Sequence, residues 1–223
     1  MKDLLDVPQW RIVGVMTEVV VPRMALVRRG LWLNYLTIGY NTIEAVVSLS
    51  AGLVAGSVAL IGFGVDSAIE VTASVAAQWR LRSDRDTVRR ERVEWLTRRV
   101  IGGSFLALSA YVAVDSVTTL WQREAPDPSV VGLGILVLSA FVMPVLARAK
   151  RRVAVALGSR ALEAEATQTS ICAYLSVIAL GGVALNTFVG WWWADPVAAL
   201  AMVPIIAKEG LEGFGAKADC HCD

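Results

Sequence analysis

The chain predicts an all-α fold, a polytopic bundle of six membrane-crossing helices with both termini on the cytoplasmic side. Three observations carry this. The 223 residues are 56% hydrophobic and 18% charged, with a mean hydropathy of +0.57, whereas an ordinary soluble domain carries about 25% charged residues. The charges cluster between apolar stretches of about 20 residues, the length that crosses roughly 30 Å of hydrocarbon. Trp32, Trp79, Trp121 and the triplet Trp191, Trp192, Trp193 fall at the ends of those stretches, where an indole ring prefers the headgroup zone.

The spans are expected at 33–53, 58–79, 100–121, 130–146, 164–185 and 193–210. Residues 1–30 mix Asp3, Asp6, Arg11, Glu18, Arg23, Arg28 and Arg29 with apolar residues, so they read as a cytoplasmic and interfacial segment rather than a secretory leader. Within it, Trp10 to Met24 suggests an interfacial helix broken by Pro22. The first span follows at Trp32, and the second runs from Val58 to Trp79 before a run of arginines. That run, from Arg80 to Arg99, reads as a solvated helical extension lying on anionic headgroups. The third span starts after Arg99 and ends at Trp121, and the fourth stops at Leu146 ahead of Arg148, Lys150, Arg151 and Arg152. The fifth begins just past Glu163, and the sixth is opened by Asp195-Pro196, a helix cap followed by a first-turn proline. The organisation is therefore a 1–30 segment, a 31–212 transmembrane domain and a 213–223 tail.

Basic residues orient the spans. Of the 21 Lys and Arg, 20 fall in the N-terminal segment, the loops after the second and fourth spans, and the tail; Arg123 alone lies opposite. By the positive-inside rule those 20 are cytoplasmic.

Polar residues interrupt the spans at helical spacing. Asp66 and Glu70 share a face of the second span, Gln168 and Cys172 repeat the interval in the fifth, and Asn41 and Glu44 sit three apart in the first. An ionised carboxylate in hydrocarbon costs several kcal/mol by most estimates, roughly 2.5 at the least, so intramembrane acids are functional by default. If the second and fifth spans are antiparallel neighbours, Asp66 faces Cys172 and Glu70 faces Gln168. Four donors then converge, as a tetrahedral cation site requires. Asn41 and Glu44 read either as interhelical hydrogen-bonding residues or as a second polar layer on a cation or proton path, to which Asp115 and Glu165 also belong as candidates. Asp115 has an equal reading as an interfacial residue paired with Ser116, and Glu165 one as a solvated residue. Cys220, His221 and Cys222 offer soft or borderline donors and read either as a metal-capturing tail or as an unconstrained chain end.

Asn41, the stretch Gly56-Ser57-Val58-Ala59-Leu60, the acid, three residues, acid pattern Asp66-Ser67-Ala68-Ile69-Glu70, and Asp195-Pro196 together make residues 30–212 resemble the cation diffusion facilitators, or cation efflux family. That resemblance implies a proton-coupled exporter of divalent metals, a homodimer, and a transport site supplied by the second and fifth spans, with Asp66 and Glu70 as matching residues. The fifth span departs from it. The family commonly shows His or Asp, three residues, then Asp, where this chain has Gln168-Thr169-Ser170-Ile171-Cys172, although Ala164-Glu165 stands where Ala-Asp is usual. Typical members also append a ferredoxin-like cytoplasmic module, so the match is to the transmembrane domain only.

Two carboxylates, an amide oxygen and a thiol suit Zn²⁺ or Cd²⁺, with Co²⁺, Ni²⁺ and Fe²⁺ open; Mg²⁺, Ca²⁺ and Cu⁺ fit this mixture poorly. Desolvation and mutual repulsion disfavour two bare carboxylates, so cation and protons compete for one place and antiport follows. No prosthetic group is implied. A non-transporting metal sensor or partner subunit is the alternative, and an intramembrane enzyme is weaker because His221, the only histidine, lies outside every span. The expected partners are the lipid bilayer of the cell (plasma) membrane, the metal, protons and a second copy of the chain. Nucleic acid is not among them.

Overall fold

The computed structural model describes residues 23–82, 87–158 and 160–215. Six α-helices follow one another: α1 (Arg23–Ala55), α2 (Val58–Arg82), α3 (Thr87–Gln122), α4 (Val130–Leu157), α5 (Arg160–Ala184) and α6 (Ala194–Gly215), with a π-helical turn, Leu185–Val189, continuing α5. Among the described residues there is no strand. Met24–Ala55, Val58–Val75, Arg99–Gln122, Val130–Leu157 and Leu162–Val189 are each long and apolar enough to cross a membrane. The sixth helix carries Asp195, Lys208 and Glu209 at its two ends.

Several helices outrun the expected spans. α1 begins at Arg23, so Trp32 lies inside the helix rather than at its end. α4 continues through Arg148, Lys150, Arg151 and Arg152 to Leu157, because arginine and alanine are strong helix formers. It stops at Gly158, whose φ of 61° closes the helix with a left-handed cap donating to the Ala154 and Val155 carbonyls. In the arginine-rich stretch, 87–99 is helical backbone at the start of α3. The expected interfacial helix before Arg23 and the tail bearing Cys220, His221 and Cys222 lie outside the described residues.

The bundle's outer surface is apolar, and its interior sets buried polar residues beside an apolar core around Leu60, Phe63, Met143 and Met202. Val54 is 85% and Trp121 88% exposed, whereas Thr37, Asn41, Glu44, Ser48, Ser67, Ser139, Lys150, Thr169 and Ser176 have no exposed surface. A soluble protein reverses this arrangement. α1 packs along α2 and α4, α4 along α5, and α3 along α6, while α2 touches α1, α3, α5 and α6.

Small residues set the closest approaches. A Cβ on Gly102 of α3 would lie 2.8 Å from the Gly210 carbonyl oxygen of α6, and one on Gly210 would lie 3.0 Å from the Gly102 oxygen. Backbone meets backbone there. Gly64 abuts the Leu49 backbone and Gly52 that of Ile61, each at 2.9 Å, which draws α1 onto α2. Elsewhere Gly132 is pressed against Leu60, Gly103 has ordinary clearance from Phe214, and Gly134 faces open space.

Asp195 caps a neighbour's helix as well as standing in the first turn of its own. Its Oδ1 accepts from Ser57 Oγ at 2.5 Å and its Oδ2 from the Ala59 amide at 3.4 Å, while Ser57 Oγ accepts from the Leu60 amide at 3.2 Å. Amides at the start of α2, which have no partner within the helix, are thereby satisfied from α6. Pro144 and Pro204 interrupt the hydrogen-bond ladders of α4 and α6.

Gly102→Val should lower the melting temperature of the purified protein in detergent by an amount equivalent to about 1–3 kcal/mol, the usual cost of overpacking. Gly134→Ala, with nothing within 4 Å of the added carbon, should leave it unchanged or raised.

Candidate functional site

The buried face of α1 is mostly polar for four turns. Asn34, Thr37, Asn41, Glu44 and Ser48 repeat at intervals of three and four and are all buried, with Ala45 as the apolar residue buried beside them, so a mostly polar stripe of the helix faces the bundle interior. On α2 the matching stripe is Ser67, Glu70, Ser74 and Gln78, with Asp66 beside it. A column of polar groups therefore runs between the two helices. At one end Asn34 Nδ2 donates to the Ser74 carbonyl and to Gln78 Oε1, each at 3.4 Å.

Deeper in the bundle sits Glu44. Its Oε1 accepts from Ser67 Oγ of α2 at 2.6 Å, and its Oε2 accepts from Ser139 Oγ of α4. Tyr40 adds a hydroxyl 2.8 Å from Ser139 Oγ. The Cys172 thiol of α5 lies 3.8 Å from Glu44 Oε1, with Asp66 close enough to act on it electrostatically. Asp66 is 4% exposed and Cys172 2%. Four helices thus bring two carboxyls, a thiol and three hydroxyls into one buried cluster.

One turn along α2, Glu70 forms a second layer. Its Oε1 accepts from Thr169 Oγ at 2.8 Å, and the same hydroxyl accepts from the Lys150 ammonium at 3.2 Å. Lys150 also pairs with Glu165 Oε2 at 3.8 Å. Glu70 Oε2 and both side-chain ends of Asn41 are buried with no hydrogen-bond partner, which leaves polar atoms inside the bundle open to a ligand.

The structure sets Asp66 beside Cys172, the pairing that antiparallel register demands. Glu70 instead meets Thr169, one residue from Gln168. That step turns about 100° around a helix of 3.6 residues per turn. Gln168 is half-buried, and its Nε2 has no hydrogen-bond partner. Asp115 is half-buried on α3 near Tyr111, while Ser116 Oγ stays buried and unpartnered; the Asp115–Ser116 pair does not form. Among the described residues no three Cys, Asp or Glu side chains are spaced to hold one metal ion as they stand. Both oxygens of Glu44 and Oε1 of Glu70 are instead taken by hydroxyl donors, which fill lone pairs a cation would use, while Glu70 Oε2 stays open.

Sequence reading passed over Tyr40, Ser67, Ser139, Thr169 and above all Lys150. A signal for Lys150 existed. Ser139, Met143, Leu146, Lys150 and Val153 recur at intervals of four and three and are all buried. The flanking arginines disguised that periodicity as a cytoplasmic loop.

Residues 35–214 match the family model described as the cation efflux transmembrane domain. An uncharacterized transporter of Synechocystis sp. is 24% identical over 177 residues, which cover 75% of this chain and 56% of that protein. The chain thus spans little more than half the length of that relative.

Ser139→Ala would leave Glu44 Oε2 without its donor, so thermal stability in detergent should fall by the equivalent of about 1–3 kcal/mol. Ser116→Ala, which removes a buried hydroxyl that has no partner, should cost nothing or stabilise.

Proposed function

The chain belongs to the cation efflux family, and on that premise we propose that it exports a divalent transition-metal cation, Zn²⁺ or Cd²⁺ foremost, from the cytoplasm in exchange for protons. The reading rests chiefly on one observation: Asp66, Glu70, Glu44 and Cys172 are buried together inside a bundle whose outer surface is apolar. Nothing in packing alone calls for three acids there. The mixture of carboxylate and thiolate donors favours borderline cations over Mg²⁺ or Ca²⁺.

In the proposed cycle, Asp66, Glu70 and Cys172 hold the cation, and Glu44 and the amide oxygens of Asn41 and Gln168 supply further donors. The hydroxyls of Ser67, Ser139 and Thr169 hold the acids when the cation is absent and yield them when it arrives. Asp66, Glu70 and Cys172 lose protons as the cation enters and recover them as it leaves, so one site serves both in turn. Glu165, near the lysine, and Asp115, on α3, are assigned to the ion or proton path, and the Cys220, His221 and Cys222 tail to metal capture. The basic loops and both termini are assigned to the cytoplasm, the 31–212 unit to the transport domain, and the working form to a homodimer in the plasma membrane. Pro144 and Pro204 give α4 and α6 the weakened ladders at which a bundle can bend as access alternates.

Everted vesicles should take up Zn²⁺ in a manner abolished by collapsing the proton gradient, and Asp66→Asn or Glu70→Gln should cut the initial rate at least about tenfold, equivalent to 1.4 kcal/mol. Metal-driven proton flux that survives Asp66→Asn would refute the site. Binding without flux would instead support the sensor reading. In a host lacking its own exporters, resistance should extend to Zn²⁺ and Cd²⁺ and be lost in Cys172→Ala. Retained resistance would move the fifth-helix ligand to Glu165.

A further inference from the structure

Lys150 has no exposed surface, although it stands within the most basic stretch of α4. Arg148, Arg151 and Arg152 line a surface pocket outside, while Lys150 alone turns inward on the face shared with Ser139, Met143 and Leu146. A fully buried ammonium needs an anionic partner, since its desolvation is not otherwise offset. It has two. Glu165 Oε2 lies 3.8 Å away, and Thr169 Oγ, 3.2 Å from the ammonium, also lies 2.8 Å from Glu70 Oε1. The two Thr169 legs bound the separation between the Lys150 ammonium and that Glu70 oxygen at 6.0 Å.

Among the described residues, the carboxyl groups of this polar cluster are Glu44, Asp66, Glu70 and Glu165, Asp195 being buried apart from them against Ser57, and the buried cation is Lys150. At such separations, in a medium that screens far less than water, a fixed positive charge is felt strongly by a divalent ion entering beside Glu70. Glu165 is the group that tempers it. We propose that Lys150 is a resident counter-cation of the transport site: it offsets the acids in the interval when neither protons nor cargo hold them, repels cargo when it is present, and so sets affinity and speeds release, with Glu165 as its moderator. This rests on the export reading above. Lys150 is a positioning and tuning group, not a ligand.

The signs of three substitutions follow. Lys150→Met removes the repulsion and keeps the aliphatic stem, so the cation binds tighter. Glu165→Gln frees the ammonium from its partner, so the cation binds weaker. The double variant returns toward wild type. A purely structural lysine would produce no such opposition.

The test is calorimetric titration of purified, detergent-solubilised full-length protein with Zn²⁺ alone, paired with initial-rate uptake in proteoliposomes. Kd should fall about tenfold or more in Lys150→Met, rise by a similar factor in Glu165→Gln, and lie within roughly threefold of wild type in the double variant. In Lys150→Met, KM and kcat should fall together, as expected when release slows. Unchanged or weaker binding by a Lys150→Met protein with a wild-type melting profile overturns the proposal. Should that variant not fold, Glu165→Gln decides alone, and unchanged or tighter binding by it overturns the proposal equally. A wild-type protein that binds no Zn²⁺ in the same titration would fail the Zn²⁺ reading and this inference together, an outcome distinct from normal wild-type binding with unshifted variants.

Discussion

A carboxylate cannot sit inside an apolar bundle without donors, and the Glu44 carboxylate obtains them from two other helices. Ser67 of α2 and Ser139 of α4 each supply one oxygen with a hydroxyl proton, while Cys172 of α5 closes the fourth side. Withdrawing any of these elements would strand a buried polar group at a cost comparable to a large fraction of net stability. The relative placement of α1, α2, α4 and α5 is therefore tied to satisfying one acid. The hydrophobic effect gives little direction between helices in lipid, and polar groups supply the specificity that it lacks.

The bundle divides by the kind of contact it makes. α1, α2, α4 and α5 meet through hydroxyls, amides, acids and a lysine, with Gly52 and Gly64 also drawing α1 onto α2. α3 and α6 meet through glycine backbones at Gly102 and Gly210. α2, in contact with α1, α3, α5 and α6, and α5, which packs on α6, join the two groups, and the first turn of α2 is capped from α6 by Asp195. A polar interface can exchange its partners for a cation or a proton with little change in shape.

The membrane character and the number of helices were legible in composition and spacing, since lipid leaves no other way to satisfy the backbone of so apolar a chain. The acids at 66 and 70 were legible too, because charge in an apolar run is conspicuous. Helix ends were less so. The basic run after Leu146 was read as a loop, yet nothing in it breaks a helix before Gly158. The pairing of Glu70 with Thr169 rather than Gln168 was illegible in principle, because spacing within one helix does not specify how that helix is rotated against another.

What the amino-acid order determined by itself is therefore local and periodic: which stretches are helical, which face of each is polar, and where glycine or proline ends or bends it. Only the tertiary structure decided which polar faces meet. Ser139 and Thr169 are unremarkable residues until packing sets them against Glu44 and Glu70, and Lys150 resembles its exposed neighbours until α4 turns it toward Glu165. The reason is physical. A side chain's charge is a property of its residue type, but its partners and its solvent are properties of the helices around it.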